Sequence, residues 1–252
     1  MNLTDLSHYL DTTLRIRELP DYSNAVNGLQ LANRKGEITR IAAAVDATLP
    51  VVKKAIATGA DMLIVHHGMF WSGLQPWTGA TFERMRLAIE NDLAIYSVHL
   101  PLDVHPQLGN NAQIAKAMQL VPGGNFLDYK GMPVGVTCEL VMPLDEVVSR
   151  FTEALGGSRV HLCAGGPQST RKIGICSGGS GSEVAAAAKA GVDTFITGEG
   201  PHWSYTLAEE LGINVLYGGH YATETFGVKA LAQHLQAQFS LPWEFVDHPT
   251  GL

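Results

Sequence analysis

Sulfur and charge are both scarce in this chain of 252 residues. Its three cysteines, Cys138, Cys163 and Cys176, stand far apart with no Cys-x-x-Cys pair, so neither a disulfide framework nor a thiolate zinc site is indicated. They read as small buried hydrophobes. Charged residues make up 16% against 46% apolar, a balance that fits a well-buried core and argues against disorder. The formal net charge of −7 disfavours a nonspecific nucleic-acid binder that neutralises phosphates, while small anionic substrates stay open if metals supply positive charge. No uninterrupted apolar run reaches membrane-spanning length, and the opening Met-Asn-Leu-Thr-Asp-Leu lacks a basic stretch followed by an apolar one. A soluble cytoplasmic protein without membrane contact is the expectation.

What the chain does contain is alternation. Leu3, Leu6, Leu10 and Leu14 recur at helical spacing, and Asn27-Gly28 marks a turn after that helix. Strands are expected at 38–46, 62–65 and 94–98, with helices at 50–57 and 82–91, which is the order of parallel βαβ units. Beyond a hinge at 121–125 come a strand, a helix and a strand between 126 and 168. Strand, helix, strand then resumes at 172–176, 183–190 and 194–197, followed by a helix, a strand at 214–217, a helix and a last strand at 243–247. The expected fold is α/β, with two related βαβ-type halves of parallel strands at 1–125 and 169–252 and a small inserted α+β lobe at 126–168.

The halves repeat. Gly59-Ala-Asp61-Met-Leu-Ile64-Val-His66-His67 matches Gly191-Val-Asp193-Thr-Phe-Ile196-Thr-Gly198-Glu199 at a constant offset of 132. One strand later, His99-Leu-Pro-Leu-Asp103 corresponds to His220-Tyr-Ala-Thr-Glu224. Each half thus ends its strands with ligand-type side chains, and parallel sheets bind ligands at the carboxyl ends of their strands.

Two adjacent histidines ending a strand can simply bond to solvent or backbone, and strand alternation keeps His66 and His67 from gripping one ion together. At a strand exit they can flank two. With Asp103, His220 and Glu224 they give an imidazole and carboxylate set without sulfur, suited to zinc, iron, manganese, cobalt or nickel. Five such side chains suit a dinuclear metal centre of two divalent metal ions per subunit, with Glu224 bridging and room for an activated water. Hydrolysis is the default chemistry. His99 is expected as an orienter or proton shuttle, because Pro101 argues against a helix joining it to Asp103. Glu199 is either a general base beside the metals or an ordinary helix-start carboxylate. His105, on the same loop, could act as His99 does but is expected to be solvent-exposed, His202 could line the same mouth as Glu199, and His8, His161, His234 and His248 are structural or surface residues. The Ser177–Ser182 turn could present N–H groups to an anion, although a tight βα turn explains most of it. Asn110-Asn111 is expected to cap a helix. The loop bearing Phe70, Trp71 and Trp77 either walls a pocket or packs on the sheet or a subunit contact.

Taken together, Asn27-Gly-Leu-Gln30, Val65-His-His-Gly68, His99-Leu-Pro-Leu-Asp103 with Gly109-Asn-Asn111, Thr197-Gly-Glu199 and Gly219-His-Tyr-Ala-Thr-Glu224 resemble a dinuclear-metal family. It is labelled GTP cyclohydrolase 1 type 2 homologs, or NGG-interacting factor three-like proteins, here in the short form without a long central insert. The resemblance implies that His66, His67, Asp103, His220 and Glu224 hold two metals in a homohexamer. The function expected is a metal-dependent hydrolase of a small nucleotide-like or cyclic amide substrate. The alternative is a metal-holding interaction, scaffold or regulatory protein without turnover.

Overall fold

Asn2 starts the first helix, α1 (Leu3–Thr13), by accepting the N–H groups of Thr4 and Asp5 on its side-chain oxygen, which satisfies two of the donors that a helix start leaves open. Leu3, Leu6 and Leu10 then fall on its buried face. In the computed structural model, which describes residues 1–252, two compact units follow from the chain: Met1–Leu102 with Gly227–His248, and Asp103–Phe226 with Pro249–Leu252.

In the first unit α1 leads to β1 (Gly28–Leu31), β2 (Ile41–Asp46), α2 (Leu49–Ala57), β3 (Met62–His67), α3 (Gly79–Glu90), β4 (Ala94–Ser97) and a single turn, α4 (Leu100–Asp103). In the second come α5 (Asn110–Ala117), β5 (Gly124–Tyr129), β6 (Met132–Pro143), α6 (Leu144–Ala154), β7 (His161–Ala164) and β8 (Ser169–Ile175). A short 3-10 turn, Ser180–Glu183, precedes α7 (Val184–Lys189), β9 (Thr194–Thr197), α8 (His202–Leu211) and β10 (Asn214–Tyr217). Helix α9 (His220–Phe239) and β11 (Trp243–Phe245) complete the chain. No helix is long and apolar enough to cross a membrane.

The first sheet has the order β1-β4-β3-β2-β11 and the second β5-β6-β8-β9-β10-β7. Each contains three consecutive parallel strands, β2-β3-β4 and β8-β9-β10, with an antiparallel edge strand beside the third, β1 or β7. The repeat extends to single hydrogen bonds. Asp61 Oδ2 accepts the N–H groups of Thr39 and Arg40, and Asp193 Oδ2 those of Arg171 and Lys172. In both, a threonine hydroxyl, of Thr39 or Thr170, also donates to the carboxylate. The aspartate shared by the two halves is thus a strand-entry clamp that fixes how one parallel strand starts beside its neighbour.

Parallel strands covered on both faces read as continuous apolar runs, and β3 is buried throughout. In the first unit Leu63, Val65 and Ile95 pack with Val51, Val52 and Ala55 of α2 and with Met85 and Ala88 of α3. In the second, the two sheet faces bury different clusters: Ile196 and Leu216 meet Phe151 and Ile114, whereas Phe195 and Val215 meet Phe126, Val184 and Ala208. Each of the larger side chains contributes about 1.5–3 kcal/mol by leaving water.

Three expectations change. Residues 126–168 do not stand apart as a lobe: β5 and β6 extend the second sheet through β6–β8 pairing, and β7 pairs with β10. The last part of the chain, with β11 on β2, belongs to the first unit rather than to a 169–252 half. Strand periodicity marks a strand but not its partner, which is why the boundaries moved. Finally, β1 and β5 begin at the expected turn and hinge and run on through residues where no strand was expected, both being short edge strands with few apolar residues.

Candidate metal centre

Strand β3 ends in His66 and His67, both buried. Alternation would send them to opposite faces, yet at the strand exit their rings come within 4.9 Å centroid to centroid. His99, also buried, joins them from the end of β4, with ring centroids 4.9 Å from His66 and 5.6 Å from His67. One ligating atom from each of the three lies within 4.8 Å of those of the other two.

Each ring is held through Nδ1. His66 Nδ1 donates to Val98 O at 3.0 Å. His67 Nδ1 donates to Asp46 Oδ1 at 2.9 Å, a contact that follows from the β2–β3 register placing Asp46 opposite His67. His99 Nδ1 donates to Asp21 Oδ1 at 2.8 Å. Carbonyls and carboxylates only accept, so the proton sits on Nδ1 and the lone pair of the neutral ring is on Nε2. Metal-binding histidines characteristically engage an oxygen through their other nitrogen, which fixes tautomer and orientation.

Supporting residues follow. Asp21 Oδ2 also accepts from Leu100 N–H and Asn27 Nδ2, while Asn27 Oδ1 accepts from His99 N–H. Gln30 accepts the N–H of Met69 and would overlap any side chain at Gly68, so this glycine lets Gln30 pin the chain just past His67. Trp71 stacks on His67 at 4.6 Å and covers His99 at 4.4 Å. Of the aromatic loop, then, Trp71 walls the histidines, Phe70 packs on the core and Trp77 is exposed.

Pro101 does not prevent a helical turn. It is the second residue of α4, a position where a missing N–H costs nothing, and His99 caps the turn by accepting Leu102 N–H on its carbonyl.

The second unit carries Asp103, His220, Glu224 and Glu199. Asp103 Oδ1 accepts from Asn110 Nδ2 at 2.7 Å and Ser177 Oγ at 3.2 Å. Asn110 therefore orients a carboxylate instead of capping α5, whose N-cap is Gly109, and Asn111 bridges Val134 O and Ser177 N–H. His220 and Glu224 share one face of α9, with Nε2 and Oε1 3.1 Å apart, and His220 Nδ1 meets Glu199 Oε1 at 2.8 Å. Burial pulls the His220 pKa down, but Glu224 and then Glu199 overcome it and raise it to about 9.

The Ser177–Ser182 turn engages part of its N–H groups within the protein. Gly178 N–H donates to Thr223 Oγ1 and Gly181 N–H to Glu199 O, so these donors are already engaged. Gly178 has φ +65°, and a Cβ there would overlap Glu224 Oε1. The glycine lets the chain pass directly against the carboxylate.

The remaining histidines lie outside. His105 Nδ1 accepts Leu108 N–H within its own turn, His234 Nε2 meets Tyr9 OH at 2.6 Å, Lys54 Nζ lies 3.4 Å from His248 Nδ1, and His8, His161 and His202 are exposed. Cys176, buried, has its thiol pushed up to about 12 by that burial, which keeps it protonated. Sequence reasoning passed over Asp21 and Asp46, and only the strand-end position of Asp46 offered a signal.

A family model described as Duf34/NIF3 (NGG1p interacting factor 3) matches residues 1–250. A Deinococcus radiodurans protein named GTP cyclohydrolase 1 type 2 homolog is 41% identical over 250 residues, 98% of this chain and 94% of that one. One of the same name from Pyrococcus abyssi is 39% identical, with 100% of both chains covered. The crystal structure of TTHA1606 from Thermus thermophilus covers 100% of both chains at 37% identity, with a TM-score of 0.89.

Proposed function

Because this chain belongs to the Duf34/NIF3 family, we propose that it holds two divalent metal ions per subunit through His66, His67, Asp103, His220 and Glu224 and uses them as a metal-dependent hydrolase. The observation that carries the reading is the uniform treatment of the imidazoles. His66 and His67 are buried, clustered and turned by an oxygen acceptor on Nδ1, which makes Nε2 their coordinating nitrogen, and His99, held through Nδ1 in the same way, sits against both rings. His220 is oriented the same way by Glu199. Such a buried, preoriented set without sulfur fits zinc, iron, manganese, cobalt or nickel.

Bound there, the ions would supply a water acidified towards neutrality. The chain's own groups do the rest. Asp21 and Asp46 keep His99 and His67 in one tautomer, and Trp71 excludes solvent from the histidine cluster. Glu199, half-exposed, holds His220 with one oxygen and has the other for an N–H or a proton of the substrate. His99 serves as a positioning residue or proton shuttle. The substrate class is a small nucleotide-like or cyclic amide molecule, a reading supported by relatives named GTP cyclohydrolase 1 type 2 homolog. A homohexamer is part of the same proposal.

Metal content per chain, measured after supplementation and removal of loose ions, tests it. Two equivalents are expected, with Asp103→Asn reducing occupancy at one position and Glu224→Gln disturbing both. One equivalent or none would defeat the paired site, and light scattering at the mass of a monomer or dimer would defeat the hexamer. If metal-loaded protein hydrolyses none of a broad panel of nucleotides and cyclic amides, the hydrolase reading fails.

A further inference from the structure

His161 opens β7 and Tyr217 closes β10, and the antiparallel register sets them opposite each other. Tyr205 of α8 comes over the same place. The His161 ring centroid is 5.6 Å from that of Tyr205 and 6.1 Å from that of Tyr217, with planes tilted by 39° and 36°. These rings, with Glu199, Gly200 and His202, line a cavity of about 480 Å³ in the second unit.

Its walls are fixed. Ser204, buried, donates to Pro201 O at 2.7 Å and so accepts from Tyr217 OH at 2.7 Å, which stops that ring from swinging. Gly200 passes so close that a Cβ would stand 3.1 Å from Tyr217 Cε1 and nearer still to Ser204 Oγ. At the rim Glu199 has one oxygen on His220, while its side chain remains 43% exposed. Neither lysine nor arginine lines the cavity, so a phosphate would meet a carboxylate with nothing to neutralise it. Aromatic walls beside a single carboxylate suit a flat ring with an N–H edge.

We propose that this cavity is the ring subsite of the substrate: a heteroaromatic ring lies against Tyr205 and His161 and donates an N–H to the second oxygen of Glu199. The inference rests on the hydrolase reading, because Glu199 also holds the candidate ligand His220 and thereby sets the ring beside the reacting end.

Calorimetric titration of the metal-loaded protein with inosine, and with 1-methylinosine, which has the same ring system without that N–H, tests it. Inosine is expected to bind at least about tenfold more tightly, the scale of one good polar or aromatic contact. Tyr205→Leu and His161→Ala should each weaken inosine by about the same factor while metal content stays at the parent value. No inosine binding, equal affinity for the two nucleosides, or variants that bind as tightly as the parent would overturn the subsite. Such results with metal content and hydrolysis intact refute the ring subsite alone; loss of the metal stoichiometry or of all hydrolysis in the parent refutes the hydrolase reading.

Discussion

A single methyl group at Gly178 should unseat a carboxylate without altering any polar residue. In Gly178→Ala the added Cβ would overlap Glu224 Oε1 and stand 3.4 Å from His220 Nε2. To recover a van der Waals contact near 3.5 Å the carboxylate must shift by on the order of 1 Å. Glu224 is only 4% exposed, so it has little room to swing aside. The φ of +65° adds a cost of about 1–2 kcal/mol for any L side chain, partly offset by about 0.4–1 kcal/mol from the stiffer unfolded chain. Gly212 isolates that backbone effect, since its φ is +67° and nothing lies within 4 Å of a Cβ. Gly212→Ala should therefore lose about 1 kcal/mol and melt about 2–4 °C lower, and Gly178→Ala should lose at least as much, because it must also displace a buried carboxylate. Gly178→Ala alone should also lose metal affinity by at least about tenfold, the scale seen when a ligand's support is disturbed. Competition against a metallochromic chelator gives the affinity and thermal unfolding gives the stability. Parent-like affinity in Gly178→Ala, or an equal loss in Gly212→Ala, would refute the close approach as the reason for glycine.

Asp46→Ala removes the acceptor of His67 Nδ1 and should weaken metal binding about 10–100-fold by the same chelator competition, with circular dichroism unchanged. The pKa of His220 is raised above its ordinary 6.5 to about 9, so the stability that its charged form gains from Glu224 and Glu199 is fully present below about 6.5 and lost as pH rises through about 9. Chelator-treated protein should accordingly melt at lower temperature across that interval, and His220→Gln should flatten the decline; a rise in melting temperature would contradict the sign. Asp193→Ala leaves the N–H groups of Arg171 and Lys172 without their acceptor and, as the first is solvent-exposed, should cost about 1–3 kcal/mol in urea unfolding. A cost below about 0.5 kcal/mol, ordinary for a surface change, would argue against the clamp.

The sequence made the parallel cores legible because buried strands demand unbroken apolar runs: β3, β4, β9 and β10 fall where Met62, Ala94, Thr194 and Asn214 begin such runs. It also exposed the duplication, since Asp61 and Asp193 must each receive two backbone N–H groups at the same point of a strand. The edge strands escaped notice. β1 and β5 have too few apolar residues to show a period, and the partners of β6 and β7 depend on hydrogen bonds between segments far apart in sequence.

Chemical type and strand-end position were enough to single out His66, His67, Asp103, His220 and Glu224 as candidates, for a short sequence window carries both. Ring orientation was not available there. Which imidazole nitrogen carries the proton depends on Asp21 lying against His99 across 78 residues and on Glu199 reaching His220 across 21. The need for glycine at 178 likewise arises from a carboxylate that the chain brings back only at Glu224. Local pattern fixes what a residue can offer; packing fixes which atom it offers and to what, because hydrogen-bond partners are chosen by folded distance and not by order along the backbone.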